Sequence, residues 1–157
     1  MQFLFSFKFL HSILWIQLAC SLKPLDINKY VIINDNATFF EAWRGCQYYG
    51  QRLASITSQE DSELVAQVIN STTTTNSTYW VAGTDIGMEG KWIWITSNEL
   101  VVKFSHWGHI SPDNSNVQDC MTVGHFPEDR TLWDDVDCET PNYYICERLR
   151  PKPVDKQ

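Results

Sequence analysis

"LWDDVDCETPNYYIC", Leu132–Cys146, sets three carboxylates, Asp134, Asp135 and Asp137, directly behind a tryptophan and beside a cysteine. Carboxylates packed that closely disfavour one another's ionised forms, so the stretch needs a compensating charge. Its neighbourhood does not bring one. Residues 113–139 hold eight acids, Asp113, Asp119, Glu128, Asp129, Asp134, Asp135, Asp137 and Glu139, against one base, Arg130. Composition alone favours a solvated acidic loop, the usual fate of a charge run. The other remedy is a hard divalent cation, since Ca²⁺ accepts ~6–8 oxygens from carboxylates, carboxamides, carbonyls and water.

Working outward, 157 residues make one domain and hardly two, and a formal charge of −7 argues against a nucleic-acid partner. Aromatic residues at 13%, seven of them Trp, suit a ring-rich core and argue against disorder. Residues 1–21 read as a signal peptide: one Lys, an apolar run from Phe9 to Ala19, and small Ala19 and Ser21 at the exit. That run is too short for a membrane span, and no second one follows. Cleavage after Ser21 removes Cys20 from five cysteines and leaves Cys46, Cys120, Cys138 and Cys146, an even set for an oxidising compartment. Four cysteines allow three pairings. Sequons at Asn36, Asn70 and Asn76 predict glycosylation of a secreted, extracellular chain.

"YVII", Tyr30–Ile33, predicts a first strand. Thr38 and Glu41 predict a capping box opening a helix whose apolar positions are Phe39, Ala42, Trp43, Cys46 and Tyr49, stopped at Gly50. A second helix is predicted with Thr57 and Glu60 as its capping box and Leu64, Val65, Val68 and Ile69 as its stripe. "YWVAG", "KWIWI", "CMTVG" and "NYYICERL" then predict strands, with Trp92 and Trp94 on one face and Ile93 and Ile95 on the other. Residues 98–119 lose regularity and predict a long loop of the kind that carries function. Residues 149–157 predict a disordered tail.

Trp43, Cys46, Gly50, Leu53, Ala54 and Ile56 form the series W-x-x-C-x-x-x-G-x-x-L-A-x-I, which resembles the first-helix signature of C-type lectin domains. "YWVAGTD", "KWIW" and "LWDDVDC…YYICE" resemble that family's later Trp, Asp and Cys segments, so the likeness spans residues 30–148, nearly all of the mature chain. The resemblance implies an α+β fold: two helices, two small antiparallel sheets and a long binding loop. It also implies the disulfides Cys46–Cys146 and Cys120–Cys138.

By the same resemblance the sugar-site calcium would be held by Ser111, Asp113, Gln118, Asp134 and Asp135, with Asp113, Gln118 and Asp134 also contacting carbohydrate. Ser111 departs from the family's Glu or Gln and implies weaker binding. A cis Ser111–Pro112 bond would aim the flanking side chains at one metal. An accessory calcium site matches Asp85, Glu89, Asn114, Gln118 and Asp119. Asp113 in "SPD" resembles the galactose-type pattern rather than the mannose type, although Ser115 stands where a stacking Trp is usual. Trp107 and Trp133, like Trp43, Trp80, Trp92 and Trp94, read as core.

The expectation is thus a secreted, calcium-dependent carbohydrate-binding lectin that leans to galactose-type glycans. The alternative is a domain of the same fold that binds a protein. A homo-oligomer would supply multivalency, though no coiled coil is present to build one. An enzyme is disfavoured: adjacent Asp134 and Asp135 cannot straddle a glycosidic bond at ~5–9.5 Å, and no nucleophile motif occurs. His106 and His109 lack further free ligands at zinc spacing.

Overall fold

A computed structural model of the chain describes residues 26, 28–74, 76–113 and 117–149. The segment expected to be a signal peptide, the tail beyond Leu149, and Asn114 and Ser115 of the loop expected to bind ligand lie outside the described residues.

Strand β1, Tyr30–Ala37, runs into helix α1, Phe39–Tyr48. The capping box is present in both directions, with the Glu41 amide donating to Thr38 Oγ1 and the Thr38 amide donating to Glu41 Oε2. That arrangement satisfies amides which otherwise have no partner at a helix start. Phe39, Ala42 and Cys46 are buried, and Gly50 ends the helix at φ +67°, a backbone region open to glycine. Tyr49, expected on the buried stripe, is 53% exposed, because it is the C-cap and has already left the helical path.

Helix α2, Gln59–Asn70, starts one residue later than its predicted cap. Ser58, not Thr57, accepts from the Asp61 amide. Thr57 instead donates its hydroxyl and its amide to Asp61 Oδ2, so the acid at the third helical position serves both residues. Leu64, Val65 and Ile69 are buried, as the stripe requires.

The strands are β2 (Arg52–Leu53), β3 (Tyr79–Thr84), β4 (Ile93–Trp94), β5 (Glu99–Leu100), β6 (Cys120–Val123), β7 (Trp133–Val136) and β8 (Asn142–Glu147). The two small sheets expected from the sequence are joined into one branched sheet. Strand β8 holds β1 and β2 antiparallel and β3 parallel; β3 in turn holds β4 and β6, and β6 holds β7. The junction follows from β3 itself. All six of its residues are buried, so both edges must be paired to satisfy its backbone.

Both disulfides form as expected. Cys46–Cys146 ties α1 to β8, and Cys120–Cys138 ties β6 to the segment after β7. Trp80 and Trp133 are fully buried. Trp80 donates its ring N–H to the Ala37 carbonyl. Residues 101–113 and 117–119 lie in the long loop, pinned where Trp133 donates its amide to His106 O and Gly108 donates to Trp133 O. Trp107 packs edge-on against Trp92 and Trp133, at 4.7 and 5.6 Å between ring centres, so these rings fix the loop from beneath.

The opposite end of the sheet holds a charge network. Lys29 Nζ lies 2.6 Å from Asp61 and 3.5 Å from Glu147, while the Arg52 guanidinium reaches both Glu147 oxygens. Burial acts to raise the Asp61 pKa, but the bonds from Lys29 and Thr57 outweigh it and hold the carboxyl below its ordinary range.

Candidate functional site

Strand β7 carries "WDDV" across from β6, with Asp134 opposite Thr122 and Asp135 opposite Met121. Period-two alternation gives the neighbours different settings: Asp135 is buried with Trp133, and Asp134 is half-buried. The long loop then folds onto this pair. Ser111 Oγ donates to Asp134 Oδ1 at 2.6 Å, and the Asp113 amide donates to Asp135 Oδ2 at 2.9 Å. The Gln118 carboxamide N–H donates to the Asp135 carbonyl at 3.0 Å. The Ser111–Pro112 bond is cis. Five residues from two separated segments therefore meet, although Asp113 keeps its side chain exposed.

Burial and like charge raise three carboxyls at this end. Burial raises the Asp135 pKa first, and the charges of Asp113 and Asp134 raise it further against the bond from the Asp113 amide. Asp85 is likewise raised, by burial and then by Asp119, although the Gly90 amide donates to its Oδ2 at 2.8 Å. Its Oδ1 is buried with no hydrogen-bond partner. Exposed Glu89 is raised by loss of solvent around it and by the charges of Asp85, Asp119, Asp135 and Asp113. Asp85, Glu89 and Asp119 thus share one acidic field with the Asp134–Asp135 pair; Asn114 lies outside the described residues.

The donor set fits a hard cation. Its candidate ligand atoms are all oxygens, and the Gln118 nitrogen is already engaged, so its carbonyl is the end left for a metal. The buried, unpartnered Asp85 oxygen is a second point of fit, because such an atom is costly without a partner. Among the described residues no three His, Cys, Asp or Glu side chains converge as a finished metal cage. Hydroxyl and carboxamide donors would have to complete the shell.

The histidines are spread around this site. His106 Nε2 lies 3.2 Å from Asp129 and 3.1 Å from Thr131, and His109 lies 3.7 Å from Glu128. The two imidazoles face different carboxylates. His125, which sequence reading did not single out, lies 3.6 Å from Asp134 Oδ2. It lies nine positions before Asp134 in the chain, and only the β6–β7 turn brings them together.

The family model described as Lectin C-type domain matches residues 35–148, the span containing both disulfides and every described site residue above. The chain belongs to the C-type lectin domain family. That family is one of carbohydrate-binding domains, not enzymes. The lectin chain is 31% identical over 126 residues to a perlucin-like protein of Mytilus galloprovincialis, covering 79% of this chain and 78% of that one. It is also 31% identical over 124 residues to an alpha-N-acetylgalactosamine-specific lectin of Patiria pectinifera, covering 76% and 73% respectively. Among solved structures it superposes on human lithostathine with a TM-score of 0.70 at 25% identity, covering 77% of this chain and 83% of that one. Among the described residues of this lectin, no helix is long and apolar enough to cross a membrane.

Proposed function

We propose that the chain is an exported, calcium-dependent lectin that binds galactose-type sugars through two neighbouring hydroxyls. The observation that carries this reading is the meeting of Ser111, Asp113 and Gln118 with the Asp134–Asp135 pair in an acidic field. Asp134 and Asp135 would hold the ion with Asp113, the Gln118 carbonyl and the Ser111 hydroxyl; Asp85, Glu89, Asn114 and Asp119 would serve an accessory ion. When bound, the ion would supply a Lewis-acidic seat for two vicinal sugar hydroxyls. Around that seat Asp113 and Asp134 accept hydrogen bonds from those hydroxyls, and Gln118 orients them.

The galactose lean draws support from Asp113 in "SPD" and from the 31% identical relative named for N-acetylgalactosamine. Export draws support from the leader-like first 21 residues and from two disulfides. Asn36, Asn70 and Asn76 are all exposed, as glycan attachment requires. A homo-oligomer would raise the strength of a single weak site.

Retention on galactose- and N-acetylgalactosamine-agarose in calcium, released by EDTA, is the expected result. Calorimetric titration should show calcium binding by the wild type and its loss in Asp135→Ala. A protein-directed reading is favoured at one point only: Ser111 ties up an Asp134 oxygen where the family has a longer ligand side chain. Intact calcium binding with no retention on any sugar matrix, mannose included, would turn the assignment to that reading.

A further inference from the structure

We propose that His125 is a sugar-contacting residue whose imidazole packs against the apolar C–H face of a galactose-type hexose. The inference rests on the calcium-dependent sugar reading above and adds a contact to it.

The position of the ring is the first argument. Ser111 holds Asp134 Oδ1, while His125 Nδ1 lies 3.6 Å from Oδ2. The two oxygens of one carboxylate therefore have different neighbours. A sugar hydroxyl bonded to Oδ2 at an ordinary ~2.7 Å would share that oxygen with the imidazole.

The second argument is that the ring is exposed yet braced. Its side chain is 53% accessible, and it stands at 81° to the Phe126 ring with 4.9 Å between centres. Phe126 is 4% exposed and is flanked by His109 at 5.7 Å. Gly108 makes room for this anchor, since a Cβ there would come within 2.3 Å of the Phe126 ring. Gly124, at φ +99°, turns the chain just before His125 in a conformation that favours glycine. A ring held in place before the ligand arrives loses little freedom on binding.

The third argument is what the loop lacks. The sequence after "SPD", residues 114–119, contains no aromatic residue. His125 brings a flat ring from the β6–β7 turn instead. Packing of a ring on an apolar surface is worth a modest free energy.

The test is galactose affinity by calorimetry in saturating calcium, with calcium titrated separately for each variant. His125→Ala should weaken galactose about 3- to 10-fold and leave calcium affinity unchanged. His125→Phe, which keeps a ring, should stay within about 2-fold of wild type. In the wild type, galactose should shift the His125 ring proton resonances only when calcium is present. Unchanged sugar affinity in His125→Ala overturns the proposal, and so does a His125→Phe as weak as His125→Ala. A wild type that binds calcium but no sugar overturns the lectin reading and this inference with it; sugar binding by the wild type that is undiminished in His125→Ala overturns this inference alone.

Discussion

At one end of the sheet Asp61 and Glu147 are nearly buried, and Lys29 and Arg52 are drawn in beside them. At the other end Asp85 and Asp135 are just as buried, and the groups nearest in charge are further acids: Asp113, Asp119 and Asp134. The same kind of side chain responds in opposite directions, with Asp61 held down and Asp85 and Asp135 pushed up. Burial opposes the charged form at both ends, so the difference lies in the partners. One end is electrically complete as folded. The other gathers like charges, and on the proposed reading a cation would complete it.

The two disulfides divide between the same ends, and removing them gives the largest expected contrast. Cys46–Cys146 closes 100 residues and belongs to the charge-paired end; Cys120–Cys138 closes 18 and belongs to the acidic end. Replacing both cysteines of each pair by Ser should cost about 4.7 and about 3 kcal/mol respectively on the loop-entropy account, read by urea denaturation. Equal losses would mean that the crosslinks act through native packing rather than through the unfolded chain.

Calcium should sharpen the contrast next. At ~100 times its dissociation constant it should stabilise the wild type by about 2.7 kcal/mol. Asp135→Asn should lose that gain and yet melt higher than wild type in EDTA, because it removes a buried like charge while keeping an acceptor for the Asp113 amide. A lower melting temperature in EDTA would show that the acidic end is not frustrated without metal. Lys29→Met should destabilise by about 2 kcal/mol, with or without calcium, since it strands Asp61 and leaves the acidic end untouched. A calcium-dependent loss would couple the two ends.

The smallest effect is in pH, and its sign differs between the ends. Asp61, lowered in the folded state, contributes stability above its ordinary pKa of ~3.9 that is lost as pH falls through its folded value. Asp85 and Asp135, raised in the folded state, bind more protons folded than unfolded just above ~3.9, so their contribution fades as pH rises through their folded values. In EDTA, moderate acidification from neutral should first raise the melting temperature and then lower it. Calcium should abolish the initial rise, and a monotonic fall in EDTA would contradict the two assignments.

Legibility in the sequence followed distance along the chain. The Thr38–Glu41 cap is written within four residues, and the alternation of Trp92 to Ile95 within another four, so both were readable. The second helix was displaced by one residue because Thr57 and Ser58 are chemically equivalent caps; only the backbone path selects Ser58. Strand β7 was hidden by its own acids, which depress strand propensity until β6 pairs with them. The charge network was invisible, as Lys29, Arg52, Asp61 and Glu147 come from four distant segments. His125 was missed for the same reason.

The sequence by itself determined the kind of protein this is. The order of its Trp, Gly and Cys residues carries the resemblance to C-type lectin domains, and the helix cap and strand alternation can be read locally because they are set by neighbours in the chain. Tertiary structure alone decided which acids are neutralised from within, which face one another, and which histidine stands beside Asp134. Those outcomes depend on through-space distances of a few ångströms, and electrostatic energy follows that separation rather than the count of residues between two charges.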